Sequence, residues 1–292
     1  MKRNSKYLFC LFFLIYGTSC YNQVLIKNTK GNSSEINIDK YFKDSLNFVF
    51  NQDSFNYYYQ IDTTGFRSTY LEIESKKLID TASYYFYVAG NNDDIGCKCL
   101  LSGIKRNYPD AFAFLGGLIL NEGRCSKNYY KGFLYLVKST YDKSEQGIMN
   151  LANYYYTSKQ LDKVVKFYKY GDSLDMKMAT FNLSYIYFYG KKFATNDTIG
   201  FFNKYLDKLD KGKGLKMFIN LAERGNYLAQ YELAVIYMKT DKSLAFKYLI
   251  MAYLQDLNNK KTPYYYSSYI PDLLDTEFKD KWEKYKKENN IK

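Results

Sequence analysis

The sequence contains no histidine in 292 residues. This absence excludes serine–histidine and cysteine–histidine catalysis, and it excludes most zinc sites, which use imidazole ligands. A glycine-rich phosphate-binding loop is also missing, because Gly212-Lys213-Gly214 is too short to form one. The carboxylates Asp207 and Asp210 lie beside lysines and are interpreted as part of a solvated helix face. The sequence therefore predicts no catalytic centre, no metal site and no cofactor.

The N-terminal segment lacks an apolar run long enough to cross a bilayer. Tyr7 to Tyr16 is an apolar run of ten residues, whereas a membrane-spanning helix needs about 20. Lys2 and Arg3 precede this run, and Gly17-Thr18-Ser19-Cys20 follows it. A basic segment, an apolar segment and small residues in this order predict a signal peptide over residues 1–19.

The end of this segment resembles a bacterial lipobox in which Gly17 stands where the strict pattern has leucine. The resemblance implies that Cys20 is acylated and tethers the mature chain to the cell envelope, at the outer membrane facing the periplasm. Acyl chains contribute about 0.8 kcal/mol per buried methylene, so several chains on one residue anchor a protein firmly. Cleavage and secretion without a lipid is the alternative.

One sequence pattern occurs four times in the rest of the chain. It consists of a small residue, three further positions, leucine, a second small residue and, after two more positions, an isoleucine or tyrosine. Successive copies are offset by 36, 32 and 50 residues. Apolar residues at this spacing are typical of one face of a helix, and their recurrence indicates a repeat architecture. The copies are Ala111, Leu115, Gly116 and Ile119; Gly147, Leu151, Ala152 and Tyr155; Ala179, Leu183, Ser184 and Tyr187; and Ala229, Leu233, Ala234 and Tyr237.

Each copy is followed by a second stretch with its own apolar stripe at helical spacing. Two helices joined by a few residues must lie antiparallel, and neither could bury its apolar face alone. Between the last two repeats, Ala222 closes one helix and Gly225 supplies the left-handed stop. The second stripes are Tyr130, Phe133, Leu134 and Val137; Leu161, Val164, Val165 and Tyr168; Leu215, Phe218, Ile219 and Ala222; and Ala245, Tyr248, Leu249 and Ala252.

These residues resemble the Sel-1-like repeat, a relative of the tetratricopeptide repeat, over roughly Asp94 to Tyr253. Ala222 to Tyr237 matches the family's joint between repeats well. Gly190 follows Tyr187 as the family pattern requires, whereas the second and fourth copies have short loops without that glycine, so the repeat type could shift toward tetratricopeptide. The resemblance implies an all-α, right-handed α-solenoid of stacked antiparallel helix pairs that binds other proteins and has no chemistry of its own.

The flanking segments are interpreted as follows. Residues 20–64 form a membrane tether and N-terminal cap segment, since the polar cluster Asn28–Ser34 cannot bury enough apolar area to order itself. Residues 65–260 hold the repeats, including a degenerate helix pair before Pro109 and an inserted helix from Ile199. Residues 261–292 form a C-terminal capping helix with an apolar side of Leu273, Leu274, Phe278 and Trp282.

The cysteines are compatible with an oxidising compartment. Cys10 leaves with the signal peptide and Cys20 is the lipidation site, so Cys97, Cys99 and Cys125 remain. Disulfides between paired helices occur in secreted members of the resembled family, which implies a bridge from Cys97 or Cys99 to Cys125. Buried free thiols are the alternative, and one of the three cysteines is left over in either case.

The net charge is +12, and loss of the signal peptide lowers it to +9. A basic chain with 35 tyrosines could suggest nucleic acid. The tyrosines, however, occupy mainly helix-packing positions and the lysines are spread along the chain. No nucleic-acid partner is therefore predicted, and attraction to anionic lipid headgroups or to an acidic partner is favoured.

The function predicted from these features is that of a lipid-anchored, non-catalytic scaffold for an unidentified protein or peptide. By family geometry, the binding groove is formed by residues next to the packing face: Asn153, Tyr156, Tyr185, Phe188, Val235 and Met238. Half of these side chains could instead pack between repeats. The alternative function is a regulatory or enzymatic envelope protein that carries the repeats as an accessory. The only candidate for an additional catalytic domain is the segment of residues 21–80, which is shorter than the usual domain of about 100 to 150 residues.

Overall fold

The computed structural model describes residues 75–87, 93–158, 160–190, 209–258, 269–289 and 291. These residues form twelve α-helices and no β-strand. They divide between two compact units, residues 75–179 and residues 180–291. The predicted signal peptide with Cys20, the tether, and the inserted helix from Ile199 lie outside the described residues.

In the N-terminal unit, the successive helices from α1 to α6 pack against one another, ending with α5 against α6, and α3 also packs against α5. The boundary between the units falls within a seventh helix, α7. The helices are α1 (Ser75–Tyr87), α2 (Asp93–Lys105), α3 (Pro109–Glu122), α4 (Tyr129–Tyr141), α5 (Glu145–Thr157), α6 (Leu161–Ser173) and α7 (Lys177–Tyr189).

In the C-terminal unit, five helices follow α7, and each of them packs against the next. The end of α7 packs against α8, because the Phe181 and Phe188 rings lie 5.6 and 6.1 Å from the Phe218 ring, centroid to centroid. The helices are α8 (Lys211–Glu223), α9 (Tyr227–Tyr237), α10 (Lys242–Asn258), α11 (Tyr269–Glu277) and α12 (Lys279–Glu288).

The predicted all-α fold of stacked antiparallel helix pairs is confirmed. The four repeats are the pairs α3–α4, α5–α6, α7–α8 and α9–α10, and the pair α1–α2 precedes them as expected. We call α3, α5, α7 and α9 the first helices, and α4, α6, α8 and α10 the second helices. The recurring small residues and leucines of the first helices are buried in the core of each unit.

The joints that lead into each first helix are three residues long and share one backbone conformation. Their middle residues are Asn107, Lys143, Asp175 and Gly225, with φ of 53°, 60°, 61° and 75°. The third residue of each joint donates its N–H to the carbonyl five residues earlier, at 2.9 to 3.0 Å. This is the Schellman arrangement, which satisfies the last carbonyls of the preceding helix. The joints are residues 106–108, 142–144, 174–176 and 224–226.

The connections inside the helix pairs, in contrast, differ in length. They comprise residues 123–128, 158–160, 190–210 and 238–241. Asn128 and Asp210 at the ends of two of these connections cap the next helix, because each side chain accepts a hydrogen bond from the backbone N–H three residues later. Length variation is therefore confined to the connections within pairs.

The C-terminal segment contains two helices where the sequence suggested one. The helical pattern breaks at Phe278, whose φ of −131° and ψ of 20° are not helical. The break allows Phe278 and Trp282 to be buried together with Ile270 and Leu274 of α11 in the core of the C-terminal unit. The buried apolar residues of the two helices therefore form one pattern in the sequence, and this pattern resembles a single continuous helix.

Candidate functional site

The first helices of the N-terminal unit are connected by side-chain hydrogen bonds. Asn150 of α5 donates from Nδ2 to the carbonyl oxygen of Ala113 in α3, at 2.9 Å. Ser144, which caps α5, donates from Oγ to Oδ1 of Asp110 at 2.6 Å. Glu145 accepts the backbone N–H of Met178 at the start of α7, at 2.6 Å. These bonds fix the spacing of neighbouring first helices.

In the C-terminal unit, Tyr189 of α7 connects to Glu232 of α9. The Tyr189 hydroxyl donates to Oε2 of Glu232 at 3.0 Å, and the Glu232 side chain is buried. The Tyr189 ring also contacts the Tyr185 and Phe188 rings, with centroids 4.5 and 4.7 Å apart. A carboxylate therefore lies within an aromatic cluster between two first helices.

The protonation of Tyr189 follows from this environment. Burial raises the pKa of Tyr189 well above its ordinary value, and the charge of Glu232 and its hydrogen bond to the phenol raise it further. The phenol is consequently a permanent donor at neutral pH.

The predicted groove residues have different environments. Val235 is exposed on α9, with 41% of its surface accessible. Asn153 and Tyr156 on α5 are half-buried. Tyr185, Phe188 and Met238 pack against the core of the C-terminal unit. Val235 is thus the groove candidate whose side chain is available to a partner, whereas Phe188 also supports the packing of α7 on α8.

The groove prediction did not include Tyr189 and Glu232. Glu232 is the only charged residue between Tyr227 and Tyr237. An isolated acid on an otherwise uncharged helix was a signal that this position is special. The partner Tyr189 lies 43 residues away, and the connection of variable length within the pair prevents this register from being predicted from periodicity.

The structure joins Cys97 and Cys125 in a disulfide, one of the two pairings that the sequence left open. The bridge fastens the loop between α3 and α4 to α2. Next to it, Arg124 pairs with Glu122 at 2.9 Å and donates to the carbonyl oxygen of Phe86 at 3.4 Å. The bridge and Arg124 together hold this loop against the pair α1–α2.

Cys99 remains a free thiol and is fully buried. Burial raises the pKa of its thiol to about 11. Since the thiolate is the nucleophile, this cysteine is unsuited to reaction at neutral pH.

Two searches of the described residues gave negative results. They contain no group of three or more cysteine or acidic side chains that could hold a metal ion. Over the same part of the chain, none of the helices combines the length and the apolar character that crossing a membrane requires.

Comparison with known proteins gives a likeness of fold. No family model matches the chain, and no curated protein matches it. Among solved structures, the chain is similar to a Sel1 repeat protein from Oxalobacter formigenes, with 15% sequence identity and a TM-score of 0.47. The match covers 82% of this chain and 100% of that protein. The helix order and the four repeated joints establish the stacked-pair fold independently of this likeness.

Proposed function

We propose that this protein is a lipid-anchored, non-catalytic scaffold that binds a protein or peptide through its first helices. The observation that carries the proposal is the set of hydrogen bonds between neighbouring first helices, which prepares a surface before any partner arrives. Such preorganisation lowers the cost of binding, because fewer side chains must be immobilised. In the C-terminal unit this surface includes Val235, which is exposed on the helix that carries Glu232.

The anchoring part of the proposal rests on the segment around Cys20. Acylation of Cys20 would hold the repeats at the outer membrane, facing the periplasm, while residues 21–64 provide reach. Cys20→Ser should abolish incorporation of labelled palmitate and move the protein from the detergent phase to the aqueous phase. Palmitate incorporation that persists in Cys20→Ser would refute the anchor.

Site-specific photo-cross-linking in intact cells tests the binding surface. A photoreactive amino acid replaces Val235 in one variant and Asn220 in the other, and both positions are exposed. Asn220 lies on the second helix α8, so it serves as the matched control. We expect a discrete adduct from position 235 and none of the same mass from position 220.

Identical adducts from both positions, or no adduct from position 235, would contradict the assignment of the surface. Both variants should keep the melting temperature of the unmodified protein within a few degrees, because neither side chain is part of the core. The mass of the adduct identifies the partner.

A further inference from the structure

Lysine is distributed unequally between the two kinds of helix. The first helices contain a single basic residue, Lys177, at the start of α7. The second helices contain ten lysines, no arginine and four acidic residues. The lysines are Lys131, Lys138, Lys163, Lys166, Lys169, Lys211, Lys213, Lys216, Lys242 and Lys247.

The second-helix lysines of the C-terminal unit, on α8 and α10, are all exposed. In this unit Lys213 lies over the Tyr187 ring, 4.5 Å from its centroid, and Lys242 pairs with Glu277 at 3.5 Å. In the N-terminal unit, only Lys169 of the second-helix lysines is exposed; the other four are half-buried, and Lys138 pairs with Asp142. Acidic side chains would keep these helix faces solvated equally well. The excess of lysine over acidic residues therefore indicates an anionic binding partner.

We propose that the second helices of the C-terminal unit, α8 and α10, face an anionic lipid surface. The proposal rests on the proposed anchoring, which would keep the chain beside a membrane. Lysines near a negatively charged bilayer are attracted to it, and the attraction declines within a Debye length. The first helices are then left uncovered for a partner.

The choice of cation favours lipid over an acidic protein. Arginine offers a rigid fork that matches a carboxylate with two parallel hydrogen bonds, and it is preferred where a defined acidic residue is recognised. The lysine ammonium is a compact point charge, which suits attraction to the many headgroups of an anionic bilayer. The five exposed lysines of α8 and α10 fit a headgroup layer better than a single defined acidic residue.

Vesicle binding tests the proposal on the full mature chain with Cys20→Ser, so that no acyl chain contributes. Vesicles of phosphatidylglycerol and phosphatidylethanolamine are compared with vesicles of phosphatidylcholine at 0.1 M salt. We expect binding to the anionic vesicles only, and its loss at 1 M salt. Neutralising Lys211, Lys216 and Lys247 with glutamine should weaken this binding about 100-fold, at roughly fivefold per lysine.

The matched control neutralises three exposed lysines that lie off the second helices: Lys239, Lys279 and Lys284. It changes the net charge by the same amount and should weaken binding less than about threefold. Equal loss in both variants, or no binding to anionic vesicles, would overturn the proposal. Binding to polyglutamate without binding to vesicles would overturn it in favour of an acidic protein. Because the chain is unacylated, failure of the lipid anchor would leave this result unchanged.

Discussion

At the scale of single side chains, two residues on α9 differ in burial and therefore in their roles. Leu233 is fully buried in the core of the C-terminal unit, whereas Val235, two positions later, is 41% exposed. On a helix this spacing directs the two side chains to different faces. Leu233 therefore contributes to folding, and Val235 is available for contact with a partner.

Leu233→Ala should lower the free energy of unfolding by about 2 to 5 kcal/mol, because it removes buried methyl groups and leaves a cavity. Val235→Ala should change it by less than about 0.5 kcal/mol, as is usual for an exposed position. Denaturant unfolding of both variants measures the difference. Equal effects would show that α9 is packed differently.

Tyr189 makes stability depend on pH in a defined direction. Its pKa is raised in the folded protein above the ordinary value of 10.0, so between pH 10 and the raised value the folded chain keeps a proton that the unfolded chain releases. The contribution is therefore fully present below pH 10 and declines as the pH rises above it. Tyr189→Phe should make that decline shallower.

At pH 7, Tyr189→Phe should also cost about 1 to 3 kcal/mol, because the buried Glu232 loses a donor. Thermal unfolding from pH 7 to 11 measures both effects. Tyr84→Phe, at an exposed position, is the control and should leave stability at pH 7 within about 0.5 kcal/mol. An unchanged decline in Tyr189→Phe would show that the pKa of Tyr189 is not raised in the folded protein.

At the scale of helices and joints, the sequence revealed the repeats, but it indicated the left-handed conformation at only one of the four joints. The small residues and leucines recur because helix packing requires them, so their spacing predicted all four pairs. Gly225 indicated a left-handed stop, whereas Asn107, Lys143 and Asp175 adopt the same conformation without glycine. Glycine eases this backbone geometry but is not obligatory, since asparagine and aspartate are the other residues that adopt it most often.

Substitutions at Gly225 and Lys143, the middle residues of two joints, should change the free energy of unfolding in opposite directions. Gly225→Ala should lower the free energy of unfolding by about 1 kcal/mol, since a side chain in the left-handed region costs about 1 to 2 kcal/mol. Lys143→Gly relieves the same cost and should raise stability by up to about 1 kcal/mol. Denaturant titration measures both variants, and a shift of the same sign in both would contradict a shared conformation.

The disulfide acts on a whole segment, because it closes a loop between residues 28 positions apart. A loop of this size corresponds to about 3 to 4 kcal/mol of unfolded-state entropy. Cys97→Ser with Cys125→Ser should lower the melting temperature and remove its dependence on reductant. Cys99→Ala, the control, should retain that dependence.

The sequence could not choose between Cys97 and Cys99 as the partner of Cys125. The two cysteines are separated by one residue on α2, and which of them faces the loop after α3 depends on how the pair α1–α2 packs. The contact between Tyr189 and Glu232 could not be predicted for the same reason. Periodicity identifies which residues share a helix face, but not which neighbour that face meets across a loop of irregular length.

At the scale of the whole molecule, the number of free thiols depends on both N-terminal processing and disulfide formation. If the signal peptide is removed, Cys20 is acylated and Cys97 is bridged to Cys125, only Cys99 carries a free thiol. Titration of the purified mature protein in denaturant should find one thiol per chain without reductant and three with it. Two thiols without reductant would show that Cys20 is unmodified, and three would show that the bridge is absent.

The four joints have a further consequence for how such a chain can change its length. Each begins and ends a repeat with the same three-residue backbone path, so removal of everything from one joint to the next leaves the flanking helices in their original orientation. Loss of a single residue inside a helix, by comparison, rotates every later side chain by about 100°. Duplication or deletion in this lineage should therefore occur in units of complete hairpins.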